Sequence, residues 1–209
     1  MKKISTVLMV WLLLPQFIHA QGTLYVSNLG QTPTDSASIG SDSWVAQQFY
    51  VLGADPNSYL LNSIQLLLNP ASGSPIGFTV SIYSTSSGAP QNDLGSLSGS
   101  ADPSPGGIYI YTASGITLSP GVNYYVVATA ATPVAQGAYD WSAANFPTES
   151  GNWEINSVYY TSTDGSSWTS HLRGDVFQMA IYATAVPEPA TLVLAGLGLA
   201  CLSLRQRRQ

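Results

Sequence analysis

Hydrophobic positions through the middle of the chain recur at every second residue. In FTVSIYS, Phe78, Val80 and Ile82 fall on one face, and Thr79, Ser81 and Tyr83 on the other. In VFQMAIYAT, Phe177, Met179 and Ile181 share a face. A side-chain period of two is that of a pleated strand with one face buried. GIYIYTA and VNYYVVATA add aromatic and β-branched residues that fit such a surface. Between these runs lie NPASGSPIG, STSSGAPQND, SADPSPGG, LSPG and STDGSS. Gly there supplies positive φ, Pro fixes φ, and Asp or Asn bonds its own backbone, so these stretches predict turns.

The pattern predicts about ten strands, near 23–29, 43–51, 59–68, 76–84, 93–98, 107–113, 122–131, 137–142, 153–161 and 175–184. LLNSIQLLL is ambiguous, because Leu60, Ile64 and Leu67 also fit one face of a helix. Flanking Pro56 and Pro70 and the strand-rich neighbourhood favour a strand there. Many short strands joined by Gly/Pro turns predict an all-β domain, an antiparallel β-sandwich of jelly-roll or Ig-like type. No repeat of fixed period is visible, which disfavours a solenoid or propeller.

Both ends depart from this pattern. MKKISTVLMVWLLLPQFIHA has a positive start (Lys2, Lys3), an apolar stretch from Ile4 to Leu14, and Ala20 at a cleavage position. That order predicts a secretory signal-peptide helix cut after Ala20. Its apolar stretch is shorter than the ~20 residues of a membrane span. At the other end Ala190–Leu204 is a second apolar run, followed by Arg205, Arg207 and Arg208. The predicted division is a signal peptide over 1–20, one domain over 21–185 and a terminal segment over 186–209, with its hydrophobic helix at 190–204 and its basic tail at 205–209. The central domain is large enough to fold without disulfides.

Charge narrows the functional classes. From Gln21 to Ala185 there is one base, Arg173, against ten acids (Asp35, Asp42, Asp55, Asp93, Asp102, Asp140, Glu149, Glu154, Asp164 and Asp175), a net of −9. Such a surface repels phosphate backbones, and no nucleic-acid partner is expected. The one cysteine, Cys201, lies in the C-terminal apolar run, so the domain has no disulfide, thiol nucleophile or cysteine metal ligand.

The inventory for catalysis is thin. His171 is the domain's single histidine, and no G-x-S-x-G elbow presents a serine to it. A lone histidine does not anchor a zinc site. Glu149 and Glu154 flank GNW and are the pair an acid-based polysaccharide-cleaving enzyme would use if a cleft held them. Solvated loop acids are the plainer reading, so no catalytic residue, no metal ligand and no cofactor is assigned, and the protein is expected not to be an enzyme. Calcium held by Asp140, Asp164 or Asp175 with backbone carbonyls is the one ion the acids suggest, although no D-x-D-x-D-G loop is present. Trp141, Trp153 and Trp168 would stack on sugar rings if exposed, with Trp153 and Trp168 flanking turn-rich segments; core packing is the plainer reading.

The C-terminus is more specific. Pro187-Glu188-Pro189, the apolar run 190–204 and the arginines resemble the PEP-CTERM sorting signal of Gram-negative bacteria. The resemblance implies recognition by an exosortase, a membrane-embedded cysteine protease-like transpeptidase, which cuts near the motif and passes the protein to the cell surface or an exopolysaccharide matrix. It also implies export through the Sec translocon, removal of the leader by signal peptidase, and a transient inner-membrane stage. Fifteen apolar residues rise roughly 22 Å as a helix, short of the ~30 Å hydrocarbon core, which suits a removable transmembrane helix; a permanent thin anchor, its mismatch relieved by local bilayer thinning, is the alternative. The arginines would stay cytoplasmic, leaving the domain outside.

The body has a resemblance of its own. LYVSNLGQ, WVAQQFYVLG, FTVSIYSTSSGAPQNDLGSLSG and YTASGITLSPGVNYYVVAT resemble the choice-of-anchor R domain. Ala46-Gln47-Gln48-Phe49, Gly88-Ala89-Pro90 and Leu118–Val126 carry the likeness, with YDWS at 139–142, GNW at 151–153 and SSW at 166–168 in the aromatic back half. It spans roughly 23–184 and implies an architecture but no assigned activity. The function expected is that of a secreted, cell-envelope structural or adhesive protein, with a surface carbohydrate-binding module as the alternative.

Overall fold

The computed structural model describes residues 22–53, 57–85, 88–145, 149–150, 152–172 and 174–186. The expected leader helix, Ala20, the Pro187–Pro189 motif, the hydrophobic helix and Arg205, Arg207 and Arg208 lie outside the described residues. In chain order the strands are β1 (Thr23–Ser27), β2 (Asp35–Ile39), β3 (Trp44–Val51), β4 (Ser58–Gly73), β5 (Thr79–Thr85), β6 (Asn92–Ser96), β7 (Gly107–Thr112), β8 (Thr117–Leu118), β9 (Asn123–Thr129), β10 (Gly137–Asn145), β11 (Glu149–Ser150), β12 (Trp153–Ser162), β13 (Thr169–Leu172), β14 (Asp175–Phe177) and β15 (Met179–Val186).

They form two antiparallel sheets packed as a sandwich, the all-β class that the alternation predicts. The first sheet runs β1-β15-β4-β10-β14, with β7 and β8 on β4 and β2 on β10. The second runs β11-β12-β3-β9-β5-β6, with β13 on β12. The alternating residues Phe78, Val80 and Ile82 are buried between the sheets. Trp141 stacks on Phe177 (4.9 Å) and Trp153 on Tyr25 (4.8 Å) in the same core.

The described residues hold more strands than the ten expected. β2, β8, β11 and β13 are added because they are short or polar. In β2 (DSASI) only Ile39 is fully buried, so no alternation marks it. β13 lies in a stretch that reads as a turn and is held by its pairing with β12.

Two bulges explain the ambiguity of LLNSIQLLL. Ser63 pairs with Tyr182 but Leu61 pairs with Ala183, so β4 carries one extra residue at Asn62. The bulge shifts the phase of the pleat, and Ser63 and Ile64 are buried in succession. Leu60 is exposed while Ile64 is buried, so the helical face does not exist. Farther on, Asn69 pairs with Asp140 and Ser72 with Ala138, so a second bulge spans Pro70-Ala71. Pro70 thus lies inside a strand, where a bulge tolerates its missing N–H.

The expected last strand is broken. β10 runs antiparallel to both β4 and β14, while β15 runs antiparallel to β4. β14 and β15 therefore run opposite ways, and the chain turns over at Gln178. The start of β1 and the end of β15 lie at one end of this sheet, since Thr23 pairs with Ala183 and Ser58 with Val186.

Candidate functional site

The fork at Gln178 is the most polar part of the interior. Gln178 is wholly buried. Its N–H donates to the Ser142 carbonyl (2.8 Å), and its own carbonyl accepts from Leu67 N–H (3.1 Å) and the Trp141 indole (3.0 Å). The side-chain amide accepts from the Ser142 hydroxyl (2.9 Å) and donates to the carbonyls of Asn28 (3.2 Å) and Gln31 (2.9 Å). Asn28 answers from just beyond β1: its Oδ1 accepts from Met179 N–H (2.8 Å) and its Nδ2 donates to the Phe177 carbonyl (3.2 Å). Gln47, from the other sheet, accepts from Phe177 N–H on Oε1 (3.0 Å) and donates to the Asn156 carbonyl (2.6 Å). A break in a strand strands backbone groups away from water, and unpaired ones are costly. Three buried amides satisfy them here, which makes this cluster architectural.

Beside the fork, the edges of the two sheets leave a hollow of about 130 Å³ lined by Asp35, Ser36, Ala37, Ala143, Tyr159, Thr161, Asp175 and Phe177. Thr161 is shared with a wider hollow of about 380 Å³ lined by Asp42, Ser43, Ser162, Thr163, Ser167 and Thr169. Among the described residues, none that lines either hollow is basic. Both linings are rich in hydroxyls and carboxylates, which suits a ligand that donates hydrogen bonds. His171 stands in the adjoining hairpin, its ring stacked on Tyr159 (4.8 Å) and its Nε2 2.8 Å from Thr161 Oγ1. That contact pairs a hydroxyl with an imidazole, but among the described residues no carboxylate orients the other ring nitrogen. The third group of a catalytic triad is not assembled there.

The outer face of the second sheet bears an aromatic cluster. Ala46, Tyr125 and Val127 are buried beneath Trp44, Tyr83, Tyr160 and Trp168, which are themselves only partly buried. Tyr125 meets Tyr160 edge-on at 5.5 Å, and Trp44 meets Trp168 edge-on at 6.4 Å. Tyr125 donates to the Gly88 carbonyl, which draws the β5–β6 connection over this face. Gly165 lies against the Trp44 ring: a Cβ there would fall 2.7 Å from it.

The structure thus separates the three tryptophans considered for sugar stacking. Trp141 and Trp153 are core residues at 0% and 2% exposure, which corrects the possibility that they stack on glycans in favour of the plainer reading of core packing. Their inward phase on β10 and β12 encloses both ring faces. Trp168 remains on the outer surface, with Trp44, Tyr83 and Tyr160 beside it. Alternation within WVAQQFYV could have placed Trp44 opposite the core residues Val45 and Phe49; Tyr83 and Tyr160 needed the assembled sheet.

The acids separate as well. Glu149 lies opposite Glu154 in the β11–β12 ladder, and Glu154 accepts from the Tyr50 hydroxyl. Glu154 alternates with buried Trp153 and Ile155, so it stands on the outer face and not in a cleft between the sheets. Asp140 accepts from Asn69 on β4 (3.2 Å), Asp164 sits in the β12–β13 turn, and Asp175 lines the small hollow. Among the described residues no three His, Asp or Glu gather as metal ligands. The backbone N–H groups of Ser167 and Ser166, then the hydroxyls of Ser166 and Ser162, hold the Asp164 carboxyl well below the usual carboxylate range.

Residues 185–208 match the family model described as the PEP-CTERM protein-sorting motif. No curated protein matches the chain. The match starts on Ala185, so its first two residues are the last two of β15. The match makes this a secreted, cell-surface protein sorted through an exosortase.

Proposed function

We propose that the protein acts without catalysis, as a structural or adhesive component of the surface or exopolysaccharide layer of a Gram-negative cell envelope. The observation that carries this reading is the direct junction of the sorting motif with β15. Sorting delivers the whole sandwich, and the sandwich's polar interior is spent on holding a strand break. On this reading the chain crosses by the Sec translocon, loses its leader to signal peptidase, pauses in the inner membrane on 190–204, and is released or transferred by the exosortase. The resemblance to the choice-of-anchor R domain fits it too, since Gln47 of the Ala46–Phe49 stretch ties one sheet to the strand break of the other.

Mass spectrometry of the C-terminus in a host carrying an exosortase tests this. The wild type is expected to lose the apolar run and arginines, while Glu188→Ala keeps them. An intact wild-type tail would refute processing.

A second reading, a carbohydrate-binding surface, is favoured by Trp168, Trp44, Tyr160 and Tyr83 standing together on one outer face. Exposed aromatic faces present the flat apolar surface that sugar rings stack on. Affinity electrophoresis of the secreted protein in neutral polysaccharide gels checks it. Retardation abolished in Trp168→Ala, with an unchanged melting temperature, is the expected result; equal mobility with and without polysaccharide sinks it.

A further inference from the structure

The family match and the last strand overlap. Ala185 and Val186 belong to both, and they pair with Tyr59 and Ser58 of β4. Only Pro187, Glu188 and Pro189 separate Val186 from the apolar run at Ala190. Three residues reach at most about 10 Å when fully extended. A processing enzyme working at the membrane surface therefore meets a folded sandwich with almost no tether. Proteases bind extended segments whose edges are free, and a strand paired in a sheet offers them only when it opens locally.

The end of β15 is built to open. Among the described residues β1 covers β15 no farther than Ala183, so Thr184–Val186 is paired on the β4 side alone. All three residues are exposed, with Val186 at 43%. The preceding residues Met179–Ala183 are buried apart from Tyr182, and are paired on both sides up to that point. Anchored and releasable parts of the strand thus meet at Ala183.

We infer that Thr184–Val186 must peel away from Ser58–Tyr59 before the sorting segment can be cut, so that the processing protease takes the end of β15 as part of its extended substrate. The inference rests on the reading of 185–208 as a processed signal. It makes the β4–β15 end a gate on processing, and it keeps the rest of the sandwich folded while the chain is cut.

The test is a reversible lock. Directly paired strand residues lie within disulfide range. Ser58→Cys with Val186→Cys, in a Cys201→Ser background, would tie the strand end shut when exported into an oxidising compartment. Ser81→Cys with Ser96→Cys, a directly paired couple on β5 and β6, serves as the distant control. In the exosortase host the oxidised 58–186 pair is expected to retain its C-terminal tail. Reductant should restore cutting in the same molecules, and the control pair and both single variants should be processed as the Cys201→Ser parent is. Equal cutting of the oxidised 58–186 pair overturns the inference and means that the motif is taken with β15 still docked. A parent whose tail is never removed overturns the sorting reading instead, and the inference falls with it. Persistence of the tail after reduction also overturns the gate, because the substitutions and not the lock would then be responsible.

Discussion

The indole N–H of Trp141 donates to the carbonyl of Gln178 at 3.0 Å, across the point where the last strand turns over. The Trp141 ring meanwhile stacks on Phe177, the residue before the turn. One side chain thereby supports the corner of the fork and the arm that leads into it. The sandwich depends on buried amides at a place where its hydrophobic pattern promises an uninterrupted strand.

Gln178→Leu keeps a similar volume but removes the acceptor of the Ser142 hydroxyl and the donor to the Asn28 and Gln31 carbonyls. Leaving buried groups without their partners costs about 3 kcal/mol in such a network. Urea unfolding should show a lower midpoint with an unchanged slope. A midpoint equal to wild type would mean that the fork does not rely on this amide.

Trp141 and Trp153 are equally deep but differently satisfied. The Trp153 Nε1 finds no acceptor among the described residues, whereas Trp141 Nε1 is bonded. Trp→Phe removes similar volume at both sites. Trp141→Phe should therefore be more destabilising than Trp153→Phe by about 1 kcal/mol, the net value of one buried hydrogen bond. Parallel denaturation curves give the difference directly, and the reverse order would contradict the assignment.

Tyr139 connects stability to alkaline pH. Burial first, and then the negative charge of Asp102 and its hydrogen bond, push its phenol up to about 12. A phenol whose folded value lies above its unfolded value near 10 holds its proton more tightly in the folded protein. Its contribution is complete below pH ~10 and is lost as pH rises from there toward 12. Ultraviolet titration of Tyr139→Phe should lose one late-ionising tyrosine, and the variant's stability should fall less steeply across that range.

Asp164 acts at the opposite end of the scale. Its depressed carboxyl value means that the support it lends the Ser162–Ser167 turn is complete above the ordinary carboxylate range. That support is lost as pH falls through the folded value, which lies below ~3.9. Carboxyl-carbon NMR should show Asp164 still charged after the pH has fallen through the ordinary carboxylate range. Asp164→Asn should loosen the turn at neutral pH, read as faster amide exchange at Ser166 and Ser167.

Most of the fold was legible because its strands are half-buried. FTVSIYS, WVAQQFYV and VNYYVVATA alternate and pack as they alternate. The failures have local causes. β2 and β13 carry too little apolar surface to be seen without their neighbours. LLNSIQLLL mixes phases because a bulge at Asn62 turns Ser63 and Ile64 inward together. The candidate surface was legible only in part: alternation in WVAQQFYV puts Trp44 on the outer face, whereas the burial of Trp141 and Trp153 and the company of Trp168 needed the assembled sheets.

Sequence by itself determined the class of fold, the absence of cysteine chemistry from the domain, and the address at the C-terminus. Each of these is a property of order along the chain: a period of two, a residue count, a motif followed by an apolar run and arginines. Tertiary structure alone decided which tryptophans are core, that Gln178 is a corner, and that the sorting match begins inside a paired strand. Those depend on which residues meet across long separations. Gln47 and Phe177, 130 positions apart, become hydrogen-bonded neighbours only when two sheets close on each other and every stranded backbone group must find a partner.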